Sequence, residues 1–575
     1  MSQFIPFPRS PVDRVFPPPE MVVELTEVEE KICVLLDNCK KYLEAEKGIG
    51  TECRIAGGWV RDKLLGSQSN DLDVALSNIM GFAFAEHLAE FAKDQGMEVG
   101  SIGKIAQNPD QSKHLETATF KILGRDLDLV NLRSEEYATG SRIPTGVSFG
   151  TPEQDALRRD ITINALFYNC HTRSVEDCTG KGLDDLRNGI VRTPLAPRET
   201  FIDDPLRVLR CIRFASRFGF DMVPEIEEAV KEPEIRVRML LIVFSAITED
   251  ESKEALVKKV ARERAGEELS KMVKGRSPLR SLQLIISLGL YESIFAGIPS
   301  SISSTTTATP ASHTTALKAA TILQTLLTPN GCDLPPVHPT LLKAVSEDPT
   351  CKSRLFLATY LSPYLGILYI DHKKKQCPLV EYVIRECLKL GTQNHFLDGI
   401  PALFTACQLL KGPDLSDERF KVPSERAAIG TLLREKAVHN VHTGSHWTSS
   451  LLFSLTQELV PLCDTIEQGL LAGESKRIID MYNTFVQRIE ELDLDKAVDA
   501  KHLLDGREVV STLGAKPGPW TGQVLARVMT WQLENPQGTK DDCVAWLKNE
   551  QAAGNLTVGN TISGSEPANK RVRTH

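Results

Sequence analysis

The sequence predicts a small mixed α/β head followed by a neck, body and tail built of helices. Three observations carry this reading. At 575 residues the chain is too long for one hydrophobic core, so several domains are expected. Between residue 53 and about residue 169, short apolar runs at 54–56, 72–76 and 127–132 are separated by Gly, Ser and Asn, the pattern of strands interleaved with helices. Beyond about Leu186 the apolar spacing is helical nearly throughout.

The elements follow in order. Residues 1–20 are broken by prolines and read as irregular, within an N-terminal extension of 1–29. Residues 21–46 alternate apolar and charged positions at helical spacing. The head spans 30–170, with a helix over 80–94, and a helical neck follows over 171–275. A helical body and tail fill 276–550. The Ser/Thr/Ala/Pro tract near 297–315 is too polar to bury a core and reads as flexible. The tail over 551–575 is polar and reads as disordered; its basic end, Lys570, Arg571 and Arg573, is either a solvated tail or a nuclear address.

Composition excludes little. Hydrophobic residues make up 41% and charged residues 25%, ordinary for a globular protein. A net charge of −9 argues mildly against nucleic-acid binding but leaves room for a local basic strip. The thirteen cysteines form no CxxC pair and no zinc-spaced cluster, which fits reduced thiols in a cytosolic or nuclear protein. The apolar run at 239–246 is far too short to cross a bilayer, so no membrane role is expected. The leader, with Arg9, Arg14 and Asp13 among prolines, has no apolar core and reads as neither a secretory signal nor a transit peptide; Met21 offers a second start.

The chemistry begins at RIAGGWVRDKLLGSQSNDLDVAL, residues 54–76. A strand runs into Gly57 and Gly58, and a short helical segment follows. Adjacent glycines admit a phosphate close to the backbone, and Arg61, one turn on, could reach the same phosphate. Alone the pair could be a plain turn. Asp71 and Asp73 strengthen the reading, because residues two apart on a strand face one side. Two converging carboxylates need a cation between them, and hard oxygen ligands suit Mg²⁺.

These residues resemble a known family. GGWVRD followed by DLD is similar to the nucleotidyltransferase signature of the polymerase-β superfamily, in its tRNA nucleotidyltransferase and bacterial poly(A) polymerase branch. RRDITINA at 158–165, DDPLRVLR at 203–210 and RERAGEEL at 262–269 resemble further boxes of that family, in the same order. The chain is identified as a class II member, of eukaryotic, fungal-like type. The resemblance spans about 50–275 and implies a polymerase-β-like head with a five-stranded mixed sheet. It also implies template-free addition of C and A to the 3′ end of tRNA from CTP and ATP. Partners would then be tRNA, held at its 3′ end and acceptor/T-arm region, and the two nucleotides, with no obligate protein partner. The expected locations are cytoplasm and nucleus, with the mitochondrion as a further one.

Residue roles follow. Asp71 and Asp73 would hold Mg²⁺. Asp126 and Asp128 alternate along a strand and either could be a third carboxylate, with Asp128 read as that group. Gly57, Gly58, Arg61, Arg158, Arg159, Arg210 and Arg213 would contact phosphate or sugar. Arg207, Arg210, Arg213 and Arg217 fall on one side of a helix with no acid between Arg207 and Phe220, so they need an anionic partner unless the face is simply solvated. The resemblance makes Asp204 and Arg207 the base readers. At three residues apart they would be helix-surface neighbours, unless they simply form a surface ion pair. A carboxylate accepts from the exocyclic amine of C or A while a guanidinium donates to the ring nitrogen. G and U present the reverse polarity, and such a mismatch can discriminate by on the order of 10⁴. The loop over 135–158, with Arg142 its one basic residue before Arg158, reads as flexible beside the site.

Other readings stand beside this one: a poly(A) polymerase, an enzyme adding only CC or only A, and a silent RNA-binding protein. The acidic balance opposes the first, and the presence of both Asp71 and Asp73 opposes the last.

Overall fold

The computed structural model describes residues 4–5, 7, 14–105, 117–137, 144–244, 253–328 and 333–556. Arg142 and the basic end of the tail lie outside the described residues. The chain divides into two compact units, one of Pro8–Gln324 with Lys352–Ile400, the other of Met1–Phe7, Thr325–Cys351 and Pro401–His575. The expected body of 276–550 is thus shared between them.

From residue 14 the first unit runs as irregular chain into helix α1, Glu27–Lys47. It starts later than the apolar periodicity suggested because Thr26 and Glu29 form a capping box. Glu29 also accepts from Lys63 Nζ at 2.7 Å and Trp59 Nε1 at 3.0 Å, which fixes α1 against helix α2, Gly58–Leu64. Lys63 is 4% exposed. Burial would raise the Glu29 carboxyl, but hydrogen bonds from Lys63, Thr26 and Trp59 hold it below its ordinary range.

Around α2 stands a mixed sheet of seven strands: β1 Cys53–Ala56, β2 Leu72–Leu76, β3 Val99–Ile105, β4 Thr117–Ile122, β5 Arg125–Asn131, β6 Phe167–Asn169 and β7 Ser174–Glu176. Their order is β7-β6-β1-β2-β5-β4-β3. Two strands more than the expected five are present, because the three-residue strands β6 and β7 extend the β1 edge as a hairpin. One pairing, β2 with β5, is parallel, and it sets Asp73 opposite Asp128. Helix α3, Gly81–Asp94, packs Phe84, Ala85, Leu88 and Ala92 beneath β3, β4 and β5. The loop expected over 135–158 is partly regular: Arg133–Tyr137 pairs with Pro144–Phe149, and Pro152–Leu157 is helical.

The neck contains helix α4, Leu206–Phe218, and helix α5, Lys253–Lys274, which pack on each other. Val208, Leu209, Ile212 and Ala215 of α4 are buried. The tract at 297–315, expected to be flexible, carries local structure. Ser300–Ser303 is helical, and Thr307 bonds through its amide to the Leu368 carbonyl at 2.9 Å and through Oγ1 to the Leu368 amide at 3.0 Å. Ser and Thr hydroxyls there satisfy backbone groups that a composition reading leaves to water.

The second unit is helical apart from Phe4–Ile5, which pairs antiparallel with Leu470–Leu471. Its last helices close over Val509, Leu513, Val524, Val528, Cys543 and Leu547.

Candidate active site

A cleft of ≈ 440 Å³ in the first unit gathers most of the residues expected from sequence. Gly57, Gly58, Arg61, Asp73, Arg158, Arg159, Asp204, Arg207, Arg210 and Arg213 all line it. Asp160, Asn164, Phe214, Arg217 and Arg264 line it too. It holds eight arginines against three aspartates, a strongly cationic patch on an acidic chain.

The carboxylates converge as expected. Asp71 immediately precedes β2, Asp73 lies on it, and Asp128 faces Asp73 from β5. Their oxygens come within 4.8 Å of one another. Thr119 on β4 donates to Asp128 Oδ1 at 2.7 Å and steadies it. Asp126, two residues earlier on the same strand, stands opposite Lys121, is exposed and is not part of the cluster. Burial pushes the Asp73 carboxyl up to about 6, and the charges of Asp71 and Asp128 add to the rise. Three hard oxygen donors that repel one another this strongly fit a divalent cation.

At the head of α2, Gly57 has φ 72°, open to glycine and strained for other residues. A Cβ there would stand 3.0 Å from Arg159 Nη1. The Gly57 amide is already bonded to the Leu166 carbonyl at 3.1 Å, so any phosphate must find other amides of this turn. Arg61 lines the cleft from a buried position. It is 3% exposed, bonds to Asn164 Oδ1 and Asp62, and lies over the rings of Phe214 and Phe218.

Arg158 and Arg159 both grip Asp155, which is 1% exposed. Burial opposes the charged form of Asp155, but the two guanidiniums hold it below its ordinary range. Arg159 also donates to the Asn164 carbonyl at 3.1 Å.

The arginine face of α4 is not bare. Arg210 donates to Asp160 at 2.7 Å and stands 3.5 Å from Glu268; Arg213 pairs with Glu268, and Arg217 lies 3.6 Å from Asp62. The neutralising acids missing within the helix come from α2, the 158–165 box and α5. Burial works against ionisation of Asp160, yet Arg210 and Asn164 hold it low. Arg213 is itself buried.

Asp204 and Arg207 line the same cleft but do not share a helix. Asp204 sits in extended conformation between the helix Pro197–Asp203 and α4. Its Oδ1 accepts from the Leu206 amide at 3.1 Å and its Oδ2 from Arg264 Nη2 at 2.7 Å. Arg207 donates instead to the carbonyls of Arg158, at 2.7 Å, and Thr200, at 3.5 Å.

Comparison with known proteins now decides the family. Residues 53–192 match the family described as Poly A polymerase head domain, and 243–301 match that described as Probable RNA and SrmB- binding site of polymerase A. The CCA tRNA nucleotidyltransferase, mitochondrial, of Saccharomyces cerevisiae is 35% identical over 92% of this chain and 93% of its own length. The chain belongs to the tRNA nucleotidyltransferase family. The tRNA nucleotidyltransferase cca2 of Schizosaccharomyces pombe is 34% identical over 92% of this chain and 98% of its own length. The Bacillus stearothermophilus CCA-adding enzyme in complex with CTP has the same fold, with a TM-score of 0.53 and 18% identity over 92% of this chain and 99% of that one.

As a tRNA nucleotidyltransferase, the chain uses more of its boxes than the residues first singled out. Asp160, Asn164, Arg264 and Glu268 lie inside the 158–165 and 262–269 boxes. Each joins a network that sequence could not show, because the partners lie 50 to 103 residues apart: Arg61 with Asn164, Arg210 with Asp160, Arg213 with Glu268, Arg264 with Asp204.

Proposed function

We propose that this chain adds CCA to the 3′ end of tRNA without a template, taking CTP and ATP and releasing pyrophosphate. One observation carries the reading: the member Asp73 of a three-carboxylate cluster and the pair Asp204 and Arg207 open into one arginine-lined cleft. The names of the similar yeast enzymes favour tRNA over poly(A) as the substrate.

The RNA 3′-oxygen attacks the α-phosphorus, and the bond from that phosphorus to the β-phosphate oxygen breaks. Asp71, Asp73 and Asp128 would hold Mg²⁺, which when bound would lower the pKa of the attacking hydroxyl and neutralise charge on the triphosphate and leaving pyrophosphate. Gly57 and Gly58 leave room for phosphate against the backbone. Arg159 and Arg210, already held by Asp155, Asn164 and Asp160, present fixed positive charge at low ordering cost. Arg158 and Arg213 are held by Asp155 and Glu268 and act beside them. Asp204 and Arg207 read the amine and ring nitrogen of C or A. No helix among the described residues is long and apolar enough to cross a membrane. The names of the relatives support a mitochondrial location; cytoplasm and nucleus rest on the expectation alone.

The test is extension of a tRNA transcript lacking its CCA end, with each nucleoside triphosphate singly and with CTP plus ATP, beside Asp71→Ala. Three added residues and an inactive variant are expected. A long A ladder from ATP alone would move the assignment to poly(A) synthesis. Arrest after two C residues, or extension only of a CC-ended transcript, would mean a partial adding enzyme.

A further inference from the structure

Arg264 stands in the cleft beside Asp204, and nothing in the reaction outlined above uses it. Its position on α5 is informative. Four residues later on the same helix, Glu268 pairs with Arg210 and Arg213. Residues four apart share a helix face. One face of α5 therefore supplies opposite charges to successive charged groups at and beyond the start of α4: a cation for Asp204 and an anion for Arg210 and Arg213.

The pair Asp204 and Arg207 has an inherent difficulty. A carboxylate and a guanidinium three residues apart satisfy each other readily, and a pair that does so presents little to a nucleobase. In this structure each partner is held by something else. Asp204 is fixed through both oxygens, by the Leu206 amide at 3.1 Å and Arg264 Nη2 at 2.7 Å. Arg207 is fixed by the Arg158 and Thr200 carbonyls. A carboxylate offers about four lone-pair directions, so two contacts leave others for an exocyclic amine. A guanidinium has five N–H donors, so two carbonyls leave donors for a ring nitrogen.

The geometry points to Arg264 as a specificity-determining positioning residue. By holding Asp204 from the α5 side, it keeps the carboxylate from closing onto Arg207 and leaves both groups side by side for the base edge. The Arg264 side chain is 39% exposed and that of Asp204 20%, so the pair lies where a nucleotide can reach Asp204 without unfolding anything. This inference rests on Asp204 and Arg207 being the base readers, and the experiment separates the two.

Single-nucleotide incorporation into a tRNA transcript lacking CCA is measured with CTP and with UTP, giving kcat and KM for the wild type, Arg264→Met, Arg264→Lys, Asp204→Ala and the double variant Arg264→Met/Asp204→Ala. Methionine keeps the length of the side chain and removes its charge and donors. Arg264→Met is expected to lower the CTP/UTP ratio of kcat/KM by about ten- to a hundredfold, the loss of one charge-assisted hydrogen bond. Arg264→Lys, which keeps charge and a donor, is expected to recover part of it. In the Asp204→Ala background, Arg264→Met should change the ratio no further. An equal loss with both nucleotides, at an unchanged ratio, would overturn the inference and leave Arg264 as a support for α5. An unchanged ratio in Asp204→Ala itself would overturn the base-reading assignment instead. If Arg264→Met fails to fold, Arg264→Gln is read in its place, with Arg264→Lys still the partial recovery.

Discussion

Asp73→Asn tests the electrostatics of the carboxylate cluster most directly. In the folded protein the Asp73 carboxyl titrates near 6 against an ordinary 3.8, raised by burial first and then by Asp71 and Asp128. A folded-state pKa above the unfolded one means the folded state binds that proton more tightly. Stability from this group is therefore fully present below pH 3.8 and is lost as pH rises through 6. At about 1.4 kcal/mol per pH unit the interval corresponds to about 3 kcal/mol, which solvent screening in an open cleft reduces to about 1–2 kcal/mol. Asparagine removes the charge that is repelled. In a metal chelator at pH 8, Asp73→Asn should thus melt higher than the wild type by about 2–5 °C. At pH 4 the difference should vanish. Millimolar Mg²⁺ at pH 8 should reverse the order, because only the intact cluster gains from binding the ion. Scanning fluorimetry at the two pH values, with chelator and with Mg²⁺, reads all three arms. An equal drop in melting temperature at pH 4 and pH 8 in chelator would refute the argument, since it would make Asp73 a structural hydrogen-bonding group rather than a repelled charge.

Two further outcomes follow from the packing. Asn164→Ala removes the partner that joins Arg61, 3% exposed, to Asp160, 7% exposed, and leaves two buried charges each short of a contact. A loss of about 2–4 kcal/mol is expected in urea unfolding followed by tryptophan fluorescence, and a loss below about 0.5 kcal/mol would show that the network carries no stability. Gly266 lies where α5 meets the backbone at Leu388, and a Cβ there would stand 1.9 Å from the Leu388 carbonyl oxygen. Gly266→Ala must shift α5, so the variant should lose about 1–3 kcal/mol and also lose nucleotide selection through Arg264; wild-type stability and CTP/UTP preference together would contradict the close approach.

The fold class was legible because it rests on local periodicity. Strands at 53–56, 72–76 and 125–131 and the helix at 81–94 each bury an apolar face that the sequence spells out. Strands β6 and β7 were not legible, because three residues cannot show alternation and their pairing is set by the β1 edge. The local structure of the tract at 297–315 was not legible for a different reason: it includes hydroxyl bonds such as Thr305 Oγ1 to the Ile302 carbonyl at 2.8 Å, and apolar periodicity does not report those. Within the site, the convergence of Asp71 and Asp73 was legible from their i, i+2 spacing, whereas the place of Asp128 opposite Asp73 comes from the parallel pairing of β2 with β5, which the sequence did not show. The burial of Arg61 was not legible, because it depends on Phe214 and Phe218, on a helix some 150 residues later.

The arginines of the cleft raise a question of energy. A triphosphate draws on cations, yet most of those present are already paired with acids: Arg159 with Asp155, Arg210 with Asp160, Arg217 with Asp62. Pairing lowers the charge each cation presents but fixes where it points. A long, free arginine loses up to about 2 kcal/mol of rotamer freedom when a ligand orders it. In this cleft folding has already met that cost for the paired arginines. Against the eight arginines stand the three lining aspartates and, behind them, Asp62, Asp155 and Glu268, so the excess of positive charge is small and it is the fixed placement of the cations that favours an anion. A chain of net charge −9 can therefore bind polyanions at one place without being basic overall, because attraction and orientation are both concentrated where α2, α4 and α5 meet the sheet.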